Sequence, residues 1–241
     1  MKKSILFLAL SAMFLINCKE DEPVIVPEPS IETQNAYDDE AIQKYLQDNY
    51  LDAKGNIKTF STTDTSDDEF PKLAEMNPVT LPSGVIYIVR DGAQPENGTP
   101  IGANDSIQIF QNTVSYVASN TDNVVSFVSP ATFKNSVDGN GIPDNDPMYY
   151  YVRNSVLEAA TADEAKQRSY YEIEGLREAL PNFTAFNKAN EEDYNLQGVI
   201  IVPSRAAFAR DVHHNYTGLA FRNRSFVFNF QVYRTFPRVN P

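Results

Sequence analysis

Several residue types are scarce in this 241-residue chain, and each shortage removes a class of function. The single cysteine, Cys18, excludes an internal disulfide and any multi-cysteine metal site. Only the adjacent His213 and His214 offer imidazole. Neighbours on a strand point to opposite faces, which argues against a zinc enzyme. Basic residues are outnumbered, 20 Lys and Arg against 32 Asp and Glu, for a formal net charge of −12. A surface that acidic repels phosphate backbones, so nucleic acid is not an expected partner. Tryptophan is absent, and the core must lean on 15 Phe and 13 Tyr. What remains, 42% hydrophobic and 22% charged, is ordinary globular usage and fits one domain plus tails.

Residues 1–17 read as a targeting segment. Met1-Lys2-Lys3 is a cationic start, and Ile5 to Ile16 is an apolar run of about a dozen residues. That is too short to span a bilayer and right for a secretory core. It ends in Leu15-Ile16-Asn17-Cys18, which resembles the lipobox of bacterial lipoproteins, although Asn17 departs from the usual Gly or Ala. The resemblance implies lipidation of Cys18 and attachment to a membrane through that lipid. Lys19-Glu20-Asp21-Glu22 resembles a signal that exports lipoproteins of some Gram-negative bacteria to the outer surface, and reads equally as a solvated tether. Cell envelope and outer membrane follow as the expected location. With Pro23, Pro27 and Pro29, residues 18–36 read as an acidic stalk, on the order of 50 Å long at ~3.1 Å per residue.

The next segment, 37–78, reads as a helix and linker. Asp38-Asp39-Glu40 suits the positive end of a helix dipole, and Ile42, Tyr45, Leu46 and Tyr50 recur at helical spacing, predicting a helix over 39–50. Residues 58–70 are polar and read as a loop. Strands follow at 85–89, 107–117 and 124–128, the last two joined by the turn Asn120-Thr121-Asp122-Asn123. Val199 to Val202 is a short apolar strand. Phe226, Phe228, Phe230 and Val232 alternate at period two, predicting one inward aromatic face. Thr161-Ala162-Asp163-Glu164 has capping-box form. Ile173, Leu176 and Leu180 mark a short helix ended by Pro181. An antiparallel sheet packed on a short helix is an α+β domain.

Four blocks within 79–236 resemble an FKBP-type peptidyl-prolyl isomerase. Pro82-Ser83-Gly84-Val85-Ile86-Tyr87 matches its entry strand, and Val114-Ser115-Tyr116-Val117-Ala118 with Asp122-Asn123 its strand and turn. Ile173-Glu174-Gly175-Leu176-Arg177-Glu178-Ala179-Leu180 is similar to its Ile-x-Gly-Trp-x-Glu-x-Leu helix. Ile201-Val202-Pro203-Ser204-Arg205-Ala206-Ala207-Phe208-Ala209 is similar to its Ile-Pro-x-x-x-Ala-Tyr-Gly loop. The resemblance implies an FKBP-like twisted antiparallel sheet with an insertion at about 131–170, and no cofactor. It implies a site lined by Tyr116, Phe127, Ile173, Leu176, Phe208 and Phe228, with Ile173 supplying a backbone N–H. On a shifted register Gln111 takes the place of Tyr116. Leu176 replaces the family's Trp and Ala209 its Gly. The family's Phe-Asp pair falls near Ser126-Phe127 or Phe127-Val128, with no carboxylate.

Prolyl isomerisation crosses an amide-resonance barrier of ~18–20 kcal/mol. It needs an apolar aromatic cleft that prefers the twisted amide, not an acid–base pair. Pro-containing segments of other envelope proteins would be the partners, with turnover attenuated by the replacements. The alternatives are a peptide-binding module without turnover and a structural surface lipoprotein whose cleft is filled by its own side chains. A second motif, Asp138-Gly139-Asn140-Gly141-Ile142-Pro143-Asp144-Asn145-Asp146, resembles extracellular calcium loops and makes Asp138, Asn140, Asp144 and Asp146 weak calcium candidates. A solvated surface turn is the commoner meaning, since position twelve of the loop is Tyr149 and not the Glu of an EF-hand.

Overall fold

The computed structural model describes residues 28–139 and 141–239. The expected signal peptide, Cys18, the stalk up to residue 27 and Asn140 lie outside the described residues. From Ile31 onward the chain forms one compact unit. It opens with α1 (Ile31–Asp48) and the hairpin β1 (Asn49–Leu51) and β2 (Ile57–Thr59). Then come β3 (Val79–Thr80), β4 (Ile86–Val89), β5 (Thr99–Pro100), β6 (Ser106–Thr121), β7 (Val124–Asn135) and β8 (Asp144–Asn145). Helices α2 (Asn154–Ala159) and α3 (Glu174–Ala179) precede β9 (Thr184–Ala185), β10 (Gly198–Val202) and β11 (Arg224–Phe236). The main sheet runs β3-β4-β10-β11-β6-β7, with β8 beside β6, and every pairing is antiparallel. The fold is α+β, with few helices.

Helix α1 starts eight residues before the predicted 39, so residues 31–36 are helix and not stalk. Its buried stripe begins with polar residues, Gln34 and Asp38, before Ala41, Ile42 and Leu46, and an apolar periodicity does not register them. Gln34 Nε2 donates to Asp38 Oδ1 at 3.0 Å and to the Ala118 carbonyl at 3.3 Å. Asp38 Oδ2 in turn accepts from the backbone N–H of Ser204, at 2.8 Å, and from its hydroxyl. The first turns of α1 are thus fixed by polar pairs, and the later turns by apolar contact.

The β6–β7 turn is Asp122-Asn123, both in the left-handed region at φ 52 and 64, as a two-residue hairpin requires. Strand β7 continues to Asn135, well past the predicted end at 128, and takes up the start of the expected insertion. Strand β11 is buried on both faces, not on the aromatic face alone. Its Phe226, Phe228, Phe230 and Val232 join the core on the α3 side, while Val227 faces α1 with Val199 and Ile201 of β10 and Ile86 and Ile88 of β4. Helix α3 lies close on the sheet because residue 175 is glycine. A Cβ there would meet Val85 Cγ2 at 2.6 Å and Val202 Cγ1 at 2.7 Å. Pro181 ends the helix through a 3₁₀ turn, Leu180–Asn182. The capping-box sequence gives only a 3₁₀ turn, Glu164–Lys166, with no side-chain cap.

Candidate functional site

Four of the six residues expected at the site converge on one face of the sheet. Ile173 sits at the N-cap of α3, Leu176 on its buried side, Phe208 after the 3₁₀ turn that follows β10, and Phe228 on β11. All four are enclosed: Ile173, Leu176 and Phe228 are 0% exposed and Phe208 2%.

Tyr116 and Phe127 are corrected by the structure, because they lie on the opposite face. Their rings stack at 5.2 Å, each 5.7 Å from Tyr45 of α1. The reason is parity. Ile107 and Ile109 face the α3 side, and so do Gln111, Thr113 and Ser115, whereas Tyr116 has the other sense. Gln111, the alternative on a shifted register, is the residue that faces the cluster. Burial raises the phenols of both Tyr45 and Tyr116, so neither ionises near neutral pH.

Phe133 is the centre of the aromatic cluster and was not among the expected residues. Its ring meets Tyr149, Tyr216, Phe221 and Phe226 edge-on at 5.1 to 5.5 Å, and Phe228 at 6.4 Å. Counting alternation from the Asp122-Asn123 turn would put Phe133 on the face of Phe127; a register shift in the β6–β7 pairing between Ser115 and Val117, with Ser129 at φ 51, brings it to the aromatic face. Phe208 stacks on His213 at 4.7 Å. His213 Nε2 accepts from the Phe221 N–H at 2.8 Å, which ties the loop down over the cluster. The two histidines lie in this loop, not on a strand.

A polar row crosses the apolar face. Thr113 Oγ1 donates to Gln111 Oε1 at 2.7 Å, and Gln111 Nε2 donates to Asp144 Oδ2 at 2.8 Å and to the Tyr149 hydroxyl. The Tyr149 hydroxyl donates to Asp144 Oδ2 at 2.9 Å. Burial, reinforced by the charge on Asp144, pushes the Tyr149 phenol far up, so it stays a neutral donor. The Ile173 N–H is not open to a ligand in this state: it donates to the Tyr149 carbonyl at 2.8 Å.

Buried Glu172 holds the neighbouring chain. It accepts from the Val152 N–H at 2.9 Å and pairs with Arg168 at 2.8 Å and Arg177 at 2.6 Å. The calcium candidates do not assemble. Asp144 is committed to Tyr149 and Gln111, Asp146 to Arg153 and Arg238, and Asp138 to Asn135. Among the described residues no cluster of three or more His, Cys, Asp or Glu could hold a metal ion.

No protein-family model matches the chain, and no curated protein does. Among solved structures, a peptidyl-prolyl cis-trans isomerase from Pseudomonas syringae pv. tomato str. DC3000 is similar at a TM-score of 0.38 and 12% identity. The match covers 87% of this chain and 98% of that one, and a likeness so loose carries no argument about the site.

Proposed function

We propose that this chain is a lipid-anchored envelope protein whose folded unit is an FKBP-type peptidyl-prolyl isomerase domain of attenuated activity. The observation that carries the reading is the convergence on one sheet face of Ile173, Leu176, Phe208 and Phe228, which come from three separated blocks of sequence. Such a lining, apolar and free of an acid–base pair, suits a reaction whose transition state is a twisted amide with diminished charge separation. The attenuation follows from what stands in the lining. Leu176 is a smaller floor than an indole. The inward phenylalanine of β7 is followed by Lys134, where a Phe-Asp pair would supply a carboxylate. Clients would be Pro-containing segments of envelope proteins, met at the reach of a stalk fixed through Cys18. Mass spectrometry of the mature protein tests the anchor: an unmodified Cys18 within a longer chain would contradict it.

One observation favours a second reading, a module without turnover. The four residues are fully enclosed, and the Ile173 N–H already has a partner. A refolding-based isomerase assay decides between them. Acceleration of prolyl-limited refolding, slower than by typical members of the family, supports the isomerase. No acceleration at any protein concentration supports the second reading.

A further inference from the structure

We propose that Pro147–Tyr151 is a built-in occupant of this cleft, an intramolecular pseudo-ligand, and that the cleft takes peptides presenting a tyrosine where Tyr149 now sits. The inference rests on the reading of the aromatic face as a peptide cleft. Tyr149 makes each contact that a bound peptide residue would make. Its carbonyl accepts from the Ile173 N–H at 2.8 Å. Its ring meets Phe133 edge-on at 5.1 Å and Tyr216 edge-on at 6.1 Å. Its hydroxyl ends on Gln111 and Asp144.

The polar end of the slot is the telling part. Gln111 is 0% exposed on a strand face that buries Ile107, Ile109, Thr113 and Ser115 toward the cluster of phenylalanines. Burying an amide costs free energy unless its bonds are made, and an aliphatic side chain would serve a core better. Gln111 Oε1 accepts from the Thr113 hydroxyl, while Gln111 Nε2 and Asp144 Oδ2 are satisfied by one another and by one phenol. A site built to hydrogen-bond a hydroxyl rejects the analogue that lacks it, because its own polar groups are then left unpaired. The slot therefore selects tyrosine over phenylalanine.

The occupant also has a prolyl turn and a route in and out. The Pro147 carbonyl accepts from the N–H groups of Tyr150 and Tyr151, at 3.0 and 3.1 Å, so the chain bends just before the inserted ring. Val152 is anchored by Glu172 and Arg168, so displacement of Tyr149 would leave the far end of the segment in place. Directly outside lies a groove of about 290 Å³ lined by Pro147, Met148, Tyr149, His214, Asn215 and Tyr216. A competing peptide can approach along it.

The test uses the full chain carrying Tyr149→Ala and a synthetic peptide of residues 146–152, followed by calorimetry. The peptide should bind the variant at least about tenfold more tightly than wild type. The same peptide with phenylalanine at the position of Tyr149 should bind the variant at least about tenfold more weakly. Equal binding to both proteins, or none to a folded Tyr149→Ala, overturns the proposal. A variant that binds the peptide and isomerises nothing keeps the pseudo-ligand and defeats the isomerase reading. Wild type that isomerises as fast as the variant does the reverse. Should Tyr149→Ala not fold, hydrogen exchange on wild type decides. The Ile173 amide should exchange by local opening, at least about tenfold faster than the Ile200 amide in mid-sheet. Exchange of both only on global unfolding overturns the proposal.

Discussion

One face of the main sheet is covered by a regular helix, the other by an assembly of parts. On the first, α1 lays Ile42 and Leu46 over Ile86, Ile88, Val199, Ile201 and Val227, a mainly aliphatic contact with the Tyr45, Tyr116 and Phe127 rings beside it. On the second, six-residue α3 brings Leu176 and Ala179, with Ile173 at its cap. Rings from β7, β11, the 147–151 segment and the 208–221 loop fill the rest. The aliphatic face needs only matched surface. The aromatic face needs edge-on ring geometry, a satisfied polar row and a shared backbone amide, and the proposed cleft rests on these.

The largest expected contrast is between Phe133→Ala and Phe127→Ala. Phe133 is 3% exposed at the hub of the aromatic face, and its loss should cost about 3–5 kcal/mol of unfolding free energy. Phe127 is half-buried on the other face and should cost less than half as much. Chemical denaturation of both variants measures this, and equal losses would erase the contrast.

Asp38 joins the two faces, since it sits on α1 and accepts from Ser204, which leads into the Phe208 loop. Asp38→Ala leaves three donors without their acceptor and should cost about 2–3 kcal/mol. Burial holds the Asp38 carboxyl above its ordinary 3.8, outweighing the bonds from Ser204 and Gln34. Its contribution is therefore full below 3.8 and is lost as pH rises through the higher folded value. Asp146 has the opposite sign. Burial opposes ionisation there, but hydrogen bonds from Arg238 and Arg153 outweigh it and hold the carboxyl below 3.8. That contribution is present above 3.8 and lost as pH falls through the lower folded value. Urea unfolding of Asp38→Asn should lose less stability than wild type as pH rises from about 4 to 7. Parallel curves would contradict the assignment.

Overpacking probes how full the aromatic face is. Gly175→Ala and Leu176→Trp should each cost about 1–3 kcal/mol, because Val85 and Val202 stand against residue 175 and Leu176 is 0% exposed. Leu176→Trp should bring no gain in activity while Tyr149 remains in place; a gain would show that the face has room. The smallest effect is a stabilisation. Ala209 is held at φ 49, where an L-residue costs roughly 1–2 kcal/mol. Ala209→Gly should raise stability by about 0.5 kcal/mol after the entropy of the freer unfolded chain is subtracted. Thermal melts with a lowered midpoint would contradict this.

Alternation and turn chemistry made the sheet legible. The period-two aromatics of β11 and the Asp122-Asn123 turn are local signals, and Pro181 marks the end of α3 as only proline does. That Ile173, Phe208 and Phe228 meet on one face was legible through block resemblance, since the surrounding motif fixes their register. What escaped depends on contacts between distant segments. Gln34 and Asp38 are polar, and their burial is set by Ala118 and Ser204, more than eighty residues away in sequence. Tyr116 was misplaced by one residue of strand parity. Tyr149 sits in an insertion with no periodicity, and only the meeting with Gln111, Asp144 and Ile173 gives it a role.

The central proposal is that the aromatic face is the cleft of a prolyl isomerase, held back by the chain's own Tyr149. Prolyl-limited refolding of a reporter protein, catalysed side by side by wild type and Tyr149→Ala, tests it most directly. The account predicts slow catalysis by wild type and a several-fold faster rate for the folded variant. A folded Tyr149→Ala no faster than wild type would contradict it.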